Sequence, residues 1–113
     1  MVNADYIPDR GDVVWLDFNP QTGHEQMGRR PAIVISPAKY NEKTSLAILC
    51  PITTQIKGYP FEVKIPENDN ISGVILSDQV KSLDWRVRNA EFITKTPEKV
   101  IQEVMKKLNL LIS

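Results

Sequence analysis

The stretch from Gly23 to Ser36, GHEQMGRRPAIVIS, sets the chain's one histidine, His24, beside Glu25 and Gln26. Two adjacent arginines, Arg29 and Arg30, follow at the mouth of an aliphatic run. Histidine is the side chain whose ordinary pKa lies close to neutrality. A carboxylate such as Glu25 can accept a proton, and the planar donor fork of an arginine suits phosphate. Pro31 biases Arg30 toward extended backbone, so a strand start can aim that guanidinium. Gly23 and Gly28 bracket the segment and let it bend closely. Each residue also has an ordinary explanation: solvated surface arginines, a loop histidine, and Glu25 paired with Arg29 or Arg30.

Two further stretches carry groups of the same kind. PITTQIKGYP (Pro51 to Pro60) offers the hydroxyls of Thr53 and Thr54, the amide of Gln55 and the charge of Lys57. SDQVKS and DWRVR add Asp78, Gln79, Lys81, Arg86 and Arg88. Beside them, Trp85 is either a surface for stacking a base or an aromatic at a subunit contact. One cysteine and one histidine cannot make a zinc cluster. The carboxylates are scattered singly, and there is no P-loop, dinucleotide fingerprint or nucleophile elbow. The inventory left is metal-free phosphate chemistry. It suits RNA cleavage through a neighbouring 2′-hydroxyl, and equally a phosphate-binding module.

These residues need a scaffold. DVVWLDF (Asp12 to Phe18), RRPAIVIS, SLAILCPIT (Ser45 to Thr53), FEVKIP (Phe61 to Pro66), GVILSDQV and AEFIT read as strands, separated by Gly- and Pro-containing turns. Phe61, Val63 and Ile65 alternate with Glu62 and Lys64 in the clearest half-buried pattern. TPEKVIQEVMKKLNLLIS reads as a terminal helix, with Thr96 as N-cap and Pro97 at its first position. Glu98 falls in its first turn and Lys106 and Lys107 in its last. Ile101, Val104, Met105 and Leu108 form its apolar stripe. Helices do not alternate with strands, which excludes a doubly wound α/β fold. The expected fold is mainly β: a small barrel of antiparallel strands with a C-terminal α-helix.

The chain has 113 residues, 42% of them hydrophobic, which is enough for one domain with a modest core. We read residues 1–113 as a single domain. Lys plus Arg and Asp plus Glu both total 14, so no general basicity points to nucleic acid. The distribution is less even: Asp5, Asp9, Asp12, Asp17 and Glu25 face Arg10 alone before the basic residues begin at Arg29. Cys50, within LAILCPI, reads as core filler. The polar, acidic start MVNADYIPDRGD shows no secretory leader, and no apolar run is long enough to span a bilayer, so the expected compartment is the cytoplasm.

GDVVWLDFNPQTGHEQMGRRPAIVIS, PITTQIKGYPFEV and GVILSDQVKSLDWRVR, in this order and spacing, resemble the MazF/PemK family of toxin endoribonucleases, nearest to the MazF branch. The resemblance covers nearly the whole chain. It implies an SH3-like barrel acting as a homodimer. It implies metal-independent cleavage of single-stranded RNA at short preferred sequences, leaving 2′,3′-cyclic phosphate and 5′-hydroxyl ends. No cofactor is implied. The implied partner is a cognate antitoxin whose acidic, disordered tail covers the RNA groove, in a larger toxin–antitoxin complex. The outcome is arrested translation and growth.

The family's functional arginine falls on Arg30, its threonine on Thr53 and its loop glutamate on Glu25. Gln79 matches a position near the site and the dimer groove. His24, present in part of the family, joins Arg30, Thr53 and Glu25 as a catalytic candidate. Gln26, Arg29, Thr54, Gln55, Lys57, Asp78, Gln79, Lys81 and Arg86 are candidates for binding substrate. Leu76 stands where some members carry a second arginine. The alternative is a non-catalytic toxin or binding module on the same barrel, such as a gyrase-poison-like protein.

Overall fold

The computed structural model describes residues 6–18, 28–66 and 70–113. The strands are β1 (Asp12–Asp17), β2 (Arg29–Val34), β3 (Leu46–Thr53), β4 (Glu62–Lys64), β5 (Val74–Leu76), β6 (Lys81–Asp84) and β7 (Glu91–Lys95). Helix α1 (Ala38–Thr44) joins β2 to β3, and α2 (Glu98–Ile112) ends the chain. The strands lie in the order β4-β5-β3-β2-β1-β7, all pairings are antiparallel, and β6 also pairs with β3. This is the expected mainly β, barrel-like fold with its C-terminal helix.

The apolar runs look continuous because both faces of the central strands are covered. Side chains alternate along a strand. Val13, Ile33, Ile35, Cys50 and Ile52 enter one core, where they meet Val63, Ile75 and the helix residues Val100, Ile101, Val104 and Leu108. Their neighbours Val14, Leu16, Ala32, Val34, Ala47 and Leu49 enter a second core with Trp85 and Ala90. Cys50 is fully buried, and desolvation pushes its thiol pKa up to about 12, which suits a filler role.

The helix differs in detail from the sequence expectation. Pro97 occupies the N-cap rather than the first turn, and Thr96 is buried without capping it. The apolar sequence LNLLI carries α2 on to Ile112, so Lys106 and Lys107 lie mid-helix rather than in the last turn. Val100 takes the place of Met105 in the buried stripe, because Met105 is turned toward solvent.

Two elements are absent from the sequence reading. Helix α1 buries only Asn41, whose amide nitrogen donates to the carbonyls of Pro8 and Ser36 at 2.8 and 3.0 Å. The short polar strand β6 exists because Ser82 and Lys81 pair with Ile48 and Leu49 along the edge of β3.

At the end of β6, Asp84 ties the following turn. Its Oδ1 accepts hydrogen bonds from the Ser45 hydroxyl and from the N–H groups of Arg86 and Val87, each at 3.0 Å. The Val87 bond is the largest cause of a carboxyl pKa held below the ordinary range. A depressed carboxylate contributes stability above its unfolded pKa of about 3.9, and that contribution is lost as pH falls through the folded value. Asp84→Ala is therefore expected to cost about 1 kcal/mol at pH 7, at the low end because the carboxylate is partly solvated. In urea titrations, the gap between variant and parent should hold down to about pH 5 and close below about pH 4. A gap of the same size at pH 2 would show that the charge has no part in it.

Candidate active site

The register of the sheet brings Arg30 and Thr53 together. β2 and β3 pair Ala32 with Pro51, Ile33 with Cys50 and Val34 with Leu49. Continued toward the start of β2, the same register sets Arg30 level with Thr53. By alternation both side chains belong to the face of Val34 and Leu49, at the end of the sheet where the core stops.

The Arg30 side chain is exposed and makes no hydrogen bond or ion pair with the described residues. The Thr53 hydroxyl oxygen accepts the N–H of Gln55 at 3.1 Å. That bond occupies an acceptor position and leaves the hydroxyl proton free to be donated.

Arg30 forms a wall common to two cavities. One, of about 520 Å³, is lined by Arg30 and Thr53 with Trp15, Pro31, Ile52, Thr54, Gln55, Asn70, Ile71 and Ser72. The other, of about 370 Å³, is lined by Arg30 with Phe18, Pro51, Gln79, Lys81 and Leu83. A charged fork between two small open hollows, one rich in hydroxyls and amides, can hold a phosphodiester with a nucleoside on either side.

Backbone packing fixes the Thr53 side of this arrangement. Strand β5 enters through Gly73, at φ +117°, directly against the Thr53 carbonyl. A Cβ at that glycine would lie 2.2 Å from the Thr53 oxygen. The chain after Thr53 is held from the other side: the Glu62 carboxylate accepts the N–H groups of Lys57 and Gly58, each at 3.0 Å, and the Lys107 amine donates to the Pro60 carbonyl.

The residues singled out in the sequence thus fall into three sets. Arg30, Thr53, Thr54, Gln55, Gln79 and Lys81 surround the two cavities. Arg29, Lys57, Asp78 and Arg86 line neither. Arg29 is bound to Asp17 and Glu91, Lys57 lies 5.9 Å from the Tyr59 ring, and Arg86 stacks 4.2 Å from the Trp85 ring. Asp78 is exposed between β5 and β6. His24, Glu25 and Gln26 lie outside the described residues.

Trp85 offers no free stacking face: it is buried, with its Nε1–H donated to the Asn41 carbonyl at 3.0 Å. Sequence reasoning passes over Trp15, Phe18, Asn70 and Ser72 as lining residues. Trp15 is exposed between the buried Val14 and Leu16, and nothing in the unbroken apolar run VVWL marks it as a lining residue.

Among the described residues, no group of three or more His, Cys, Asp or Glu side chains converges as a metal cradle. No helix there is long and apolar enough to cross a membrane.

Residues 9–112 match the family model of the PemK-like, MazF-like toxin of type II toxin–antitoxin systems. The endoribonuclease toxin MazF of Escherichia coli K12 is 48% identical over 107 residues, covering 95% of this chain and 96% of its own. The crystal structure of MazF (Form-I) from Deinococcus radiodurans is 55% identical and superposes with a TM-score of 0.87, covering 96% of this chain and 98% of its own. MazF in the MazE–MazF complex (Form-II) from the same organism gives 49% and 0.85, covering 96% and 97%.

Gly73 and Gly58 give a controlled comparison, since both have positive φ but a Cβ at Gly58 meets nothing within 4 Å. Gly58→Ala should cost about 1 kcal/mol from backbone strain alone. Gly73→Ala adds the collision with Thr53 and should cost about 3 kcal/mol or more. Thermal melts of the two variants test this, and equal losses would mean that β5 does not press on Thr53.

Proposed function

Because the chain belongs to the PemK-like, MazF-like toxins of type II toxin–antitoxin systems, we propose that it is a sequence-specific endoribonuclease acting on single-stranded RNA. The observation that carries this reading is the unpartnered Arg30 beside a proton-ready Thr53 hydroxyl at the wall common to two nucleoside-sized hollows.

Cleavage proceeds by attack of the RNA's own 2′-oxygen on the adjacent phosphorus. The bond to the 5′-oxygen breaks, which leaves a 2′,3′-cyclic phosphate and a 5′-hydroxyl. Three tasks follow: deprotonate the 2′-hydroxyl, stabilise the crowded, charged phosphorane, and protonate the leaving oxygen. Arg30 serves the second, since it stays cationic and its donors are aimed. Thr53 donates to a non-bridging oxygen and fixes the phosphate's pose. Arginine's pKa makes it a poor base, so Glu25 and His24 divide the proton transfers.

Unpaired bases are read by amides and hydroxyls such as Gln55, Thr54 and Gln79 on either side of the phosphate. The active form is a homodimer. The counterpart is an antitoxin whose acidic tail competes for the same cationic groove, in keeping with the MazE–MazF complexes of the Deinococcus relative. The reaction needs no metal.

Single-stranded RNA incubated with the protein and a chelator should yield discrete fragments with cyclic phosphate ends. A 2′-deoxynucleotide at the cut position should abolish that cut. Cutting of the deoxy substrate, or loss of activity in chelator, would exclude the scheme, and tight binding without fragments would point to a binding module. Arg30→Ala should lower the rate about a hundredfold to a thousandfold while the protein stays folded. His24→Ala should remove one limb of the pH–rate profile, near pH 6.5, where histidine ordinarily titrates.

A further inference from the structure

The two neighbouring arginines of β2 do different things. Alternation turns Arg29 to the opposite face from Arg30, the face of Trp15 and Asp17. There its Nη1 donates to the Asp17 carboxylate at 2.8 Å, and its Nη2 donates to the Glu91 carboxylate and the Asn89 carbonyl, each at 3.0 Å.

Asp17 is held from other directions as well. Its second carboxylate oxygen accepts from the Asn89 amide at 2.9 Å, and its backbone N–H donates to the Arg88 carbonyl at 3.0 Å. Arg88 returns the grip: its Nη1 donates to the carbonyls of Asp17 and Phe18 at 3.1 and 2.7 Å. Asn89 enters this arrangement at φ 58°, a left-handed conformation that asparagine tolerates better than most residues. Finally, the Phe18 N–H donates to the Gly28 carbonyl at 2.7 Å, closing the strand ends on either side of the segment that carries His24 and Glu25.

We propose that Arg29, Asp17 and Arg88 form a positioning clamp that aims Arg30 and Phe18 at the substrate without touching it. On this assignment Arg29 acts on the reaction only through Arg30, although its charge and place in the sequence suggest a phosphate ligand. Four observations carry it: the Arg29 guanidinium already donates to Asp17, Glu91 and Asn89, Arg29 lines neither cavity, its neighbour Arg30 lines both, and Phe18 lines one. The inference rests on the ribonuclease reading, because the effect to be measured is on RNA.

Salt dependence separates a positioning cation from a binding one. Removing one cation that neutralises a phosphate of a single strand makes the slope of log K against log [salt] shallower by about 0.7. The probe is a single-stranded RNA containing a mapped cut site, used intact for kinetics and with a 2′-deoxynucleotide at the cut position for binding. Arg29→Gln should leave the binding slope at the parent value, whereas Arg30→Gln should make it shallower by about 0.7. With intact RNA, Arg29→Gln should lower kcat about tenfold to a hundredfold, per titrated active site, with KM within about threefold of the parent.

Asp17→Asn, which changes charge and hardly changes shape, should reproduce that split, and the double variant should be no worse than the weaker single one. Arg29→Lys should restore part of kcat. A shallower slope for Arg29→Gln, or a raised KM at unchanged kcat, would make Arg29 a substrate ligand and overturn the proposal. So would a parental kcat per active site, because the clamp would then serve folding alone. Parent protein that neither binds nor cuts RNA would overturn the ribonuclease reading itself, and the clamp's part in it.

Discussion

The register of β2 between β1 and β3 is the constraint on which the rest of the molecule depends. Ala32 and Val34 are buried in one core, Ile33 and Ile35 in the other, and none of the four is more than 4% exposed. A slip of one residue would send each side chain to the wrong face. The two cores are shaped differently: alanines and Trp85 on one side, isoleucines, valines and a helix on the other. A slip would therefore leave voids and clashes at once, each costing about 1–3 kcal/mol per buried side chain. The same slip would exchange Arg29 and Arg30. The core thus decides which arginine faces Thr53, although neither arginine belongs to the core.

From that constraint follows a division between charges used by the fold and charges left to solvent. Asp17 is mostly buried; burial pushes its carboxyl pKa up, and the hydrogen bonds from Asn89 and Arg29 outweigh that and hold it below the ordinary range. Lys95 similarly reaches the Asp12 carboxylate at 3.0 Å and the Arg10 carbonyl at 2.8 Å. The side chains of Arg30 and Lys81, by contrast, sit exposed on the walls of the hollows with no charge or hydrogen-bond partner among the described residues. A solvated cation without a partner adds nothing measurable to stability. It is available to an anion that arrives later, and a chain with zero formal charge can still present a local cationic site.

The fold was legible in sequence wherever burial left a periodic mark. The runs around Val13, Ile33, Leu49 and Val63 became strands, and the 3.6-residue stripe of α2 became a helix packed on the sheet. Two elements were illegible because tertiary contacts, not apolar pattern, create them. AKYNEKT has no apolar stripe and buries one asparagine alone, and KSLD is a strand only because β3 offers it an edge. Site residues divided in the same way. Arg30 and Thr53 stand out by chemistry and by family resemblance, while Phe18 and Asn70 reach the hollows through strand ends and turns that no local spacing reveals. Nor could local spacing separate Arg29 from Arg30; only the pairing of Asp17 with Arg29 and of Leu16 with Arg30 does so.

Rigidity at Thr53 has a cause that extends to the far side of the molecule. Thr53 is the last residue of β3, where a strand would ordinarily fray. On one flank it is pressed by Gly73, whose missing side chain lets β5 approach within a distance that any Cβ would forbid. On the other, the chain beyond it is anchored at Lys57, Gly58 and Pro60, and the Pro60 anchor comes from Lys107 on α2. Helix α2 is itself fixed by Val100, Ile101, Val104 and Leu108 in the same core that holds Cys50 and Ile52, the residues leading to Thr53. The helix lines neither hollow, yet its apolar stripe and one lysine hold both the strand that presents Thr53 and the chain that leaves it. Weaker packing under α2 should therefore loosen the Thr53 hydroxyl before it disturbs Arg30, whose strand is held between β1 and β3 and whose neighbour is fastened to Asp17.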